Sequence, residues 1–280
     1  MIFDGVSLTG LELGTVTSVE AIAADLLGGT DRLSYAGSTA DVTVNLAAGT
    51  ASGFAAIAGI DNVTGGSGND TLSGAGNAAV NNLAGGAGND TYLADNGDTI
   101  TEAAGAGIDS VLTSSASFTL AANVDNLTFT GAGGFTGTGN GSDNVIAGAG
   151  GTDVLAGGGG NDTLIGNGGV DSLDGGAGAD TLIGGAGNDV MNGGTGNDSF
   201  VFAAGFGNDT ISGFDANPTG GQDLLDISAL GITAANFAAS VLITDLGNDT
   251  LVAIGGDTIL LLGVNGVGAN TITQQDFILH

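Results

Sequence analysis

Between Gly139 and Val201 the chain sets a carboxylate at nearly every ninth residue, and side chains of that type at that spacing can hold hard cations. Seven nonapeptides run end to end: GNGSDNVIA, GAGGTDVLA, GGGGNDTLI, GNGGVDSLD, GGAGADTLI, GGAGNDVMN and GGTGNDSFV. Position one is always Gly, and position six is Asp153, Asp162, Asp171, Asp180, Asp189 and Asp198 in every unit after the first. Position eight runs Ile146, Leu155, Leu164, Leu173, Leu182, Met191, Phe200. Two further copies lie upstream, GGSGNDTLS with Asp70 and GGAGNDTYL with Asp90, separated by the eleven-residue variant GAGNAAVNNLA. AGFGNDTIS, with Asp209, continues the series downstream. Calcium takes about 6 to 8 oxygen ligands in a flexible shell, whereas magnesium demands near-octahedral geometry and gives up water reluctantly, so calcium suits such sites better.

These carboxylates need turns to aim them and strands to stack them. Glycines at positions one, two and four permit crowded or left-handed backbone, so six residues can turn with carbonyl oxygens pointing inward. The second and fourth positions put Gly66 and Gly68, Gly86 and Gly88, Gly158 and Gly160, Gly176 and Gly178, Gly185 and Gly187, and Gly194 and Gly196 forward as carbonyl donors. The last three residues are expected to be extended, with only position eight facing inward. Two nonapeptides then make one eighteen-residue coil with turns on opposite edges and two short parallel strands. Stacking places Asp162, Asp180 and Asp198 on one edge and Asp153, Asp171, Asp189 and Asp209 on the other. Carboxylates stacked at about 4.8 Å repel, and a cation between them removes the repulsion. Asp and Asn also occupy metal-free turns, but six aspartates in seven uninterrupted units favour the metal. Weaker or empty sites are expected where Asn144 with Ser142, or Asn81, breaks the pattern.

Composition points the same way. Thirty acidic residues face a single basic one, Arg32, for a formal charge of −29, which self-repulsion makes costly for a compact state without counter-ions. Nucleic acid and anionic membrane surfaces are poor partners for such a chain. No cysteine is present, so disulfides are excluded and hard oxygen ligands remain. No apolar run is long enough to span a membrane, and MIFDGVSLTGLELG lacks the basic start of a Sec-type signal peptide.

The whole reads as an all-β chain, a parallel β-roll or β-solenoid with a β-rich C-terminal cap. Residues 1–64 form a strand-rich lead-in, with SVEAIAADLL as a helix or strand edge and GGTDRLSY as a truncated repeat turn around Asp31. Residues 65–93 hold the first repeat block, 94–138 a strand-rich connection and 139–212 the main block. IDNVT at 60–64 recurs as VDNLT at 124–128, which reads as one lead-in used twice. Residues 213–280 change character, with the only proline, Pro218, the run QDLLDISALGI, and the strand-like TLVAIGG and TILLLGV, as a solenoid needing an end cap would.

The nonapeptides, with FGNDTISGFD, GQDLLDISALGI and TITQQDFIL after them, resemble the RTX exoproteins, whose hemolysin-type calcium-binding repeats form a β-roll. The C-terminal part is similar to that of serralysin-like proteins. The resemblance implies several bound Ca²⁺ ions, export by type I secretion machinery, an extracellular location and folding there on calcium. It also implies an uncleaved C-terminal signal ending in Asp and hydrophobic residues, which Asp276, Phe277, Ile278 and Leu279 match ahead of His280.

Serralysin-like proteins carry a zinc protease domain, but with His280 as the only histidine this chain has no HExxH and no Ser-His-Asp triad. It has no Lys and hence no phosphate-binding GxxxxGK. The acids are accounted for as metal ligands and single out no hydrolytic pair, while Tyr35, Tyr92 and the phenylalanines read as packing. The expectation is a non-enzymatic calcium-binding module. The alternative is a structural or adhesive protein of the cell surface whose solenoid face binds partners or copies of itself, with Thr128, Thr130, Thr136 and Thr138 as candidate contacts.

Overall fold

Short runs of β-branched and large apolar residues, punctuated by glycine turns, give short strands that can be satisfied only by stacking. The computed structural model describes residues 30–54, 56–217, 221–267 and 270–280. The segment SVEAIAADLL and Pro218 lie outside the described residues. The chain divides into two compact units, one running to Ser115 and taking in Leu120–Thr130, the other made of Ala116–Thr119 and Gly131–His280.

In the first unit, two parallel sheets are threaded alternately. One has the order Arg32–Ser34, Asn62–Thr64, Asn82–Ala84, Thr99–Ile100. The other runs Thr43–Asn45, Thr71–Ser73, Thr91–Leu93, Ser110–Thr113, Asn126–Phe129, with Thr50–Ala51 added antiparallel at its edge. GGSGNDTLS and GGAGNDTYL pair in register, Leu72 opposite Tyr92. The eleven-residue variant between them supplies the strand Asn82–Ala84 of the opposite sheet. Of GGTDRLSY, Arg32–Ser34 form a strand paired with Asn62–Thr64, and Gly28 and Gly29 lie outside the described residues.

The second unit repeats this plan with an eighteen-residue register. Thr136–Thr138, Val154–Gly159, Ser172–Ala177, Val190–Thr195 and Asn208–Ser212 stack in one sheet. Val145–Ala147, Thr163–Gly169, Thr181–Gly187 and Ser199–Val201 stack in the other. The sequence pattern implies extended structure only at the last three positions, but the strands are longer. After a break at position one, pairing resumes through the glycines, Gly158 opposite Gly176 and Gly159 opposite Ala177. Glycine has little strand propensity of its own; backbones stacked this closely satisfy their N–H and C=O groups against each other.

Position eight forms the core. Ile146, Leu155, Leu164, Leu173, Leu182, Met191 and Phe200 are each at most 1% exposed, and Leu72, Leu83, Tyr92, Val111 and Leu127 play the same part in the first unit. Coil 131–138 inverts the rule. Its position eight is Gly137, and the buried ring of Phe135, from position six, takes the space: a Cβ on Gly137 would lie 2.7 Å from Phe135 Cε1.

The C-terminal segment closes both sheets. TILLLGV supplies Asp257–Leu261, parallel to Asn208–Ser212, and TLVAIGG supplies Thr250–Ile254, antiparallel to it, with Val241–Asp245 outermost. In the other sheet Leu224–Asp226 follows Ser199–Val201, and Phe277–Ile278 is the last strand. Asp276 anchors this end, buried, accepting from Thr273 N–H at 2.6 Å and Gln222 Nε2 at 2.8 Å. Aromatic side chains serve packing, Tyr35 edge-on to Phe54 and Phe237 against Phe277.

Candidate metal centre

Each position-six aspartate is drawn inward by a backbone donor one coil earlier. Asp162 Oδ1 accepts from Asn144 N–H at 2.7 Å, Asp180 Oδ1 from Asp162 N–H at 2.7 Å and Asp198 Oδ1 from Asp180 N–H at 2.9 Å. On the other edge Asp153, Asp171, Asp189 and Asp209 accept from Phe135, Asp153, Asp171 and Asp189 at 2.8 to 2.9 Å. In the first unit Asp70 accepts from Val42, and Asp90 from Asp70. The two edge ladders of the main block are therefore arranged as the eighteen-residue repeat implies.

The second carboxylate oxygen has a different environment. Oδ2 of Asp90, Asp162, Asp171, Asp180, Asp189, Asp198 and Asp209 is buried without a hydrogen-bond partner. In the main block it lies against the position-one glycine of its own repeat: a Cβ on Gly157, Gly166, Gly175, Gly184 or Gly193 would overlap Oδ2 of the aspartate five residues on. Position one is glycine because the carboxylate occupies the room of a side chain. Buried charged oxygens without partners are costly, and a row of them beside backbone carbonyls fits a calcium ion's need for oxygen ligands.

The glycines put forward as carbonyl donors mostly adopt the backbone expected of them. Gly86, Gly88, Gly158, Gly160, Gly176, Gly178, Gly185, Gly187, Gly194 and Gly196 all have positive φ. Gly66 and Gly68 do not; close approach requires them instead, since a Cβ would overlap Ser38 O at the first and meet Ala40 C at 2.6 Å at the second.

Ladder ends and Asn positions differ. Oδ2 of Asp70 accepts from Gly66 N–H at 2.7 Å and that of Asp153 from Ala149 N–H at 2.8 Å, folding back on their own turns. Asn144 Oδ1 likewise accepts from Asn140 N–H at 2.8 Å, while Asn81 sends Nδ2 to Asp61 O.

Several ladder members lie outside the full nonapeptides: Asp109 keeps Gly105 and Gly107, Asp61 keeps Gly59 and Asp223 keeps Gly221, while Asp98 and Asp125 have no glycine at positions one, two or four. Asp109 accepts from Asp90 N–H, Asp125 from Asp109 N–H, Asp61 from Asp31 N–H, Asp98 from Asn81 N–H and Asp223 from Asp198 N–H. IDNVT and VDNLT thus each supply one, Asp61 and Asp125. A fragment of the repeat persists at all of them, an Asp two residues before a core apolar residue, as in Asp109 with Val111 and Asp223 with Leu225.

Burial sets the electrostatics. It pushes Asp90, Asp162 and Asp171 up to about 6 and Asp209 to about 7, with neighbouring ladder carboxylates adding to the rise and backbone donors opposing it. Asp70, Asp180, Asp189 and Asp198 are raised for the same leading reason.

Comparison with known proteins adds the family. The RTX calcium-binding nonapeptide repeat (4 copies) matches residues 57–91, 75–100, 136–164, 165–200 and 201–217. A stretch of 95 residues, 34% of this chain, is 36% identical to endo-1,3-1,4-beta-glycanase ExsH of Rhizobium meliloti (strain 1021), and the match spans 20% of that relative's length. Among solved structures, the AlgE6R2 subunit of the Azotobacter vinelandii mannuronan C5-epimerase is 30% identical, covering 51% of this chain and 91% of its own at a TM-score of 0.28. Extracellular lipase LipA of Serratia marcescens is 18% identical, covering 90% of this chain and 40% of its own at a TM-score of 0.31. Through these repeats the chain belongs to the RTX calcium-binding nonapeptide-repeat family.

Proposed function

We propose that the chain is a non-enzymatic module whose folding is made conditional on calcium, exported by type I secretion machinery and folded outside the cell. The position-six aspartates named from the sequence, with the carbonyls of the turn glycines, are its ligands, and several ions occupy the two edges. The supporting observation is the row of buried, unpartnered Oδ2 atoms in a chain whose only Lys or Arg is Arg32. Without a cation, closing each coil brings buried carboxylates together; with one, the same closure completes a coordination shell, so metal binding and folding become a single event. Secretion is supported by the family.

Circular dichroism of the EDTA-treated full chain is expected to show little β-structure, with cooperative gain on calcium addition. A chain already fully β-structured in EDTA at neutral pH would falsify conditional folding.

A further inference from the structure

Among the described residues, one place brings three acidic side chains within reach of a single ion. A carboxylate oxygen from each of Asp90, Glu102 and Asp109 lies within 4.8 Å of the others. All three residues are buried, Glu102 least so at 9% exposure. Asp90 and Asp109 are successive members of one ladder. Glu102 belongs to no repeat position; it lies two residues before AGAGIDSVL, the nonapeptide-like stretch that carries Asp109 at position six.

Each carboxylate gives one oxygen to protein donors. Asp90 Oδ1 accepts from Asp70 N–H at 2.7 Å and Asp109 Oδ1 from Asp90 N–H at 2.8 Å. Glu102 Oε1 accepts from Gly85 N–H at 3.2 Å and from the Tyr92 hydroxyl. The remaining oxygens, Asp90 Oδ2, Glu102 Oε2 and Asp109 Oδ2, are buried with no partner. The backbone behind Glu102 is fixed as well, its carbonyl accepting from Nδ2 of Asn123, which holds a φ of 67°. No arginine neutralises the group, because the guanidinium of Arg32, the chain's one Lys or Arg, is given to Thr64 Oγ1.

We infer that Glu102, from outside the nonapeptide pattern, joins the ladder pair Asp90 and Asp109 as a third carboxylate ligand of one calcium ion, with Tyr92 as the residue that positions it. The separation of the oxygens falls within the span of two calcium–oxygen bonds of about 2.3–2.6 Å each. Three hard, anionic donors select a hard cation over soft or imidazole-seeking metals. The other ladder steps bring two carboxylates together and rely on carbonyls for the rest, so this site carries one more negative charge. The inference deepens the calcium reading above and rests on it.

Terbium replaces calcium at oxygen sites and emits when a nearby aromatic ring is excited. The chain has no Trp and only Tyr35 and Tyr92, so full-length Tyr35→Phe leaves Tyr92 as the sole antenna. Tyrosine-excited terbium emission is expected in that protein, displaced by calcium. Adding Glu102→Gln should weaken the emission-reporting site at least roughly tenfold and lower the calorimetric calcium stoichiometry by one ion. Unchanged emission and stoichiometry in Glu102→Gln would overturn the site. If that variant does not fold, Tyr35→Phe alone decides: calcium-dependent β-structure without Tyr92-sensitised emission at saturating terbium overturns this site and leaves the repeat reading standing. A chain with no calcium response in circular dichroism overturns both.

Discussion

At position one, a single methyl group decides whether the carboxylate five residues on can face inward. A Cβ on Gly175 would overlap Asp180 Oδ2 and lie 2.5 Å from Gly193 O, whereas a Cβ on Gly150 would meet nothing within 4 Å. Gly175→Ala should therefore cost about 1–3 kcal/mol by overpacking, seen as a lower thermal midpoint in calcium. Gly150→Ala should stay within about 0.5 kcal/mol of the parent. Equal midpoints for the two variants would mean that the aspartate does not need the space. This distinction is half legible in the sequence. Glycine at position one is invariant across the seven units while position three varies, but only the geometry shows that Oδ2 takes the place of a side chain.

Stacked coils tolerate an irregular member when its neighbours fix the space it must fill, as coil 131–138 illustrates. Gly137→Leu should crowd Phe135 Cε1 and Ile146 Cγ2, which lie 2.7 and 3.1 Å from where a Cβ on Gly137 would sit. Phe135→Ala should leave a cavity costing about 3–5 kcal/mol. The double variant should be more stable than Phe135→Ala alone, because the introduced leucine would return to the column the other coils use; strict additivity in a double-mutant cycle by thermal unfolding would contradict that account. The regular elements were readable because position eight and position six recur together and reinforce one another. Asp109 and Asp223 were missed because only part of the glycine flag precedes them, Gly105 and Gly107 in one and Gly221 in the other, and Asp125 because none does. The remaining signal, an Asp two residues before an apolar residue, is too short to stand out until pairing brings it into register. The extension of strands through the glycines was unreadable for another reason: it belongs to the stack and to no residue's own preference.

For the molecule as a whole, charge and burial oppose each other until a cation or a proton intervenes. In the folded chain Asp162, Asp171 and Asp223 are pushed up to about 6, and Asp209 and Glu102 to about 7, burial being the leading cause in each. The folded state thus binds these protons more tightly than the unfolded chain, whose carboxylates titrate near 3.8 for Asp and 4.5 for Glu. Calcium-free stability is therefore fullest below about pH 4 and is lost as pH rises through about 6 to 7. In EDTA, acidifying dilute protein from neutral pH to about 4.5 should restore part of the β-structure that calcium gives at neutral pH. A flat circular dichroism response across that range would show that proton relief alone does not close the coils. The hydrogen bonds along the edges carry one more consequence. Each aspartate reaches back to the N–H of the coil before it, so a coil's backbone donor is satisfied by its C-terminal successor, and the series ends where Asp223 takes both Asp198 N–H and Asp215 N–H. At the N-terminal ends, Asp70 and Asp153 still reach back with Oδ1, to Val42 and Phe135, while Oδ2 folds back on their own turns; a coil lost at the other end would leave an amide with no acceptor. The ladder is therefore polar, each coil's amide capped from its C-terminal side and the last one sealed by Asp223.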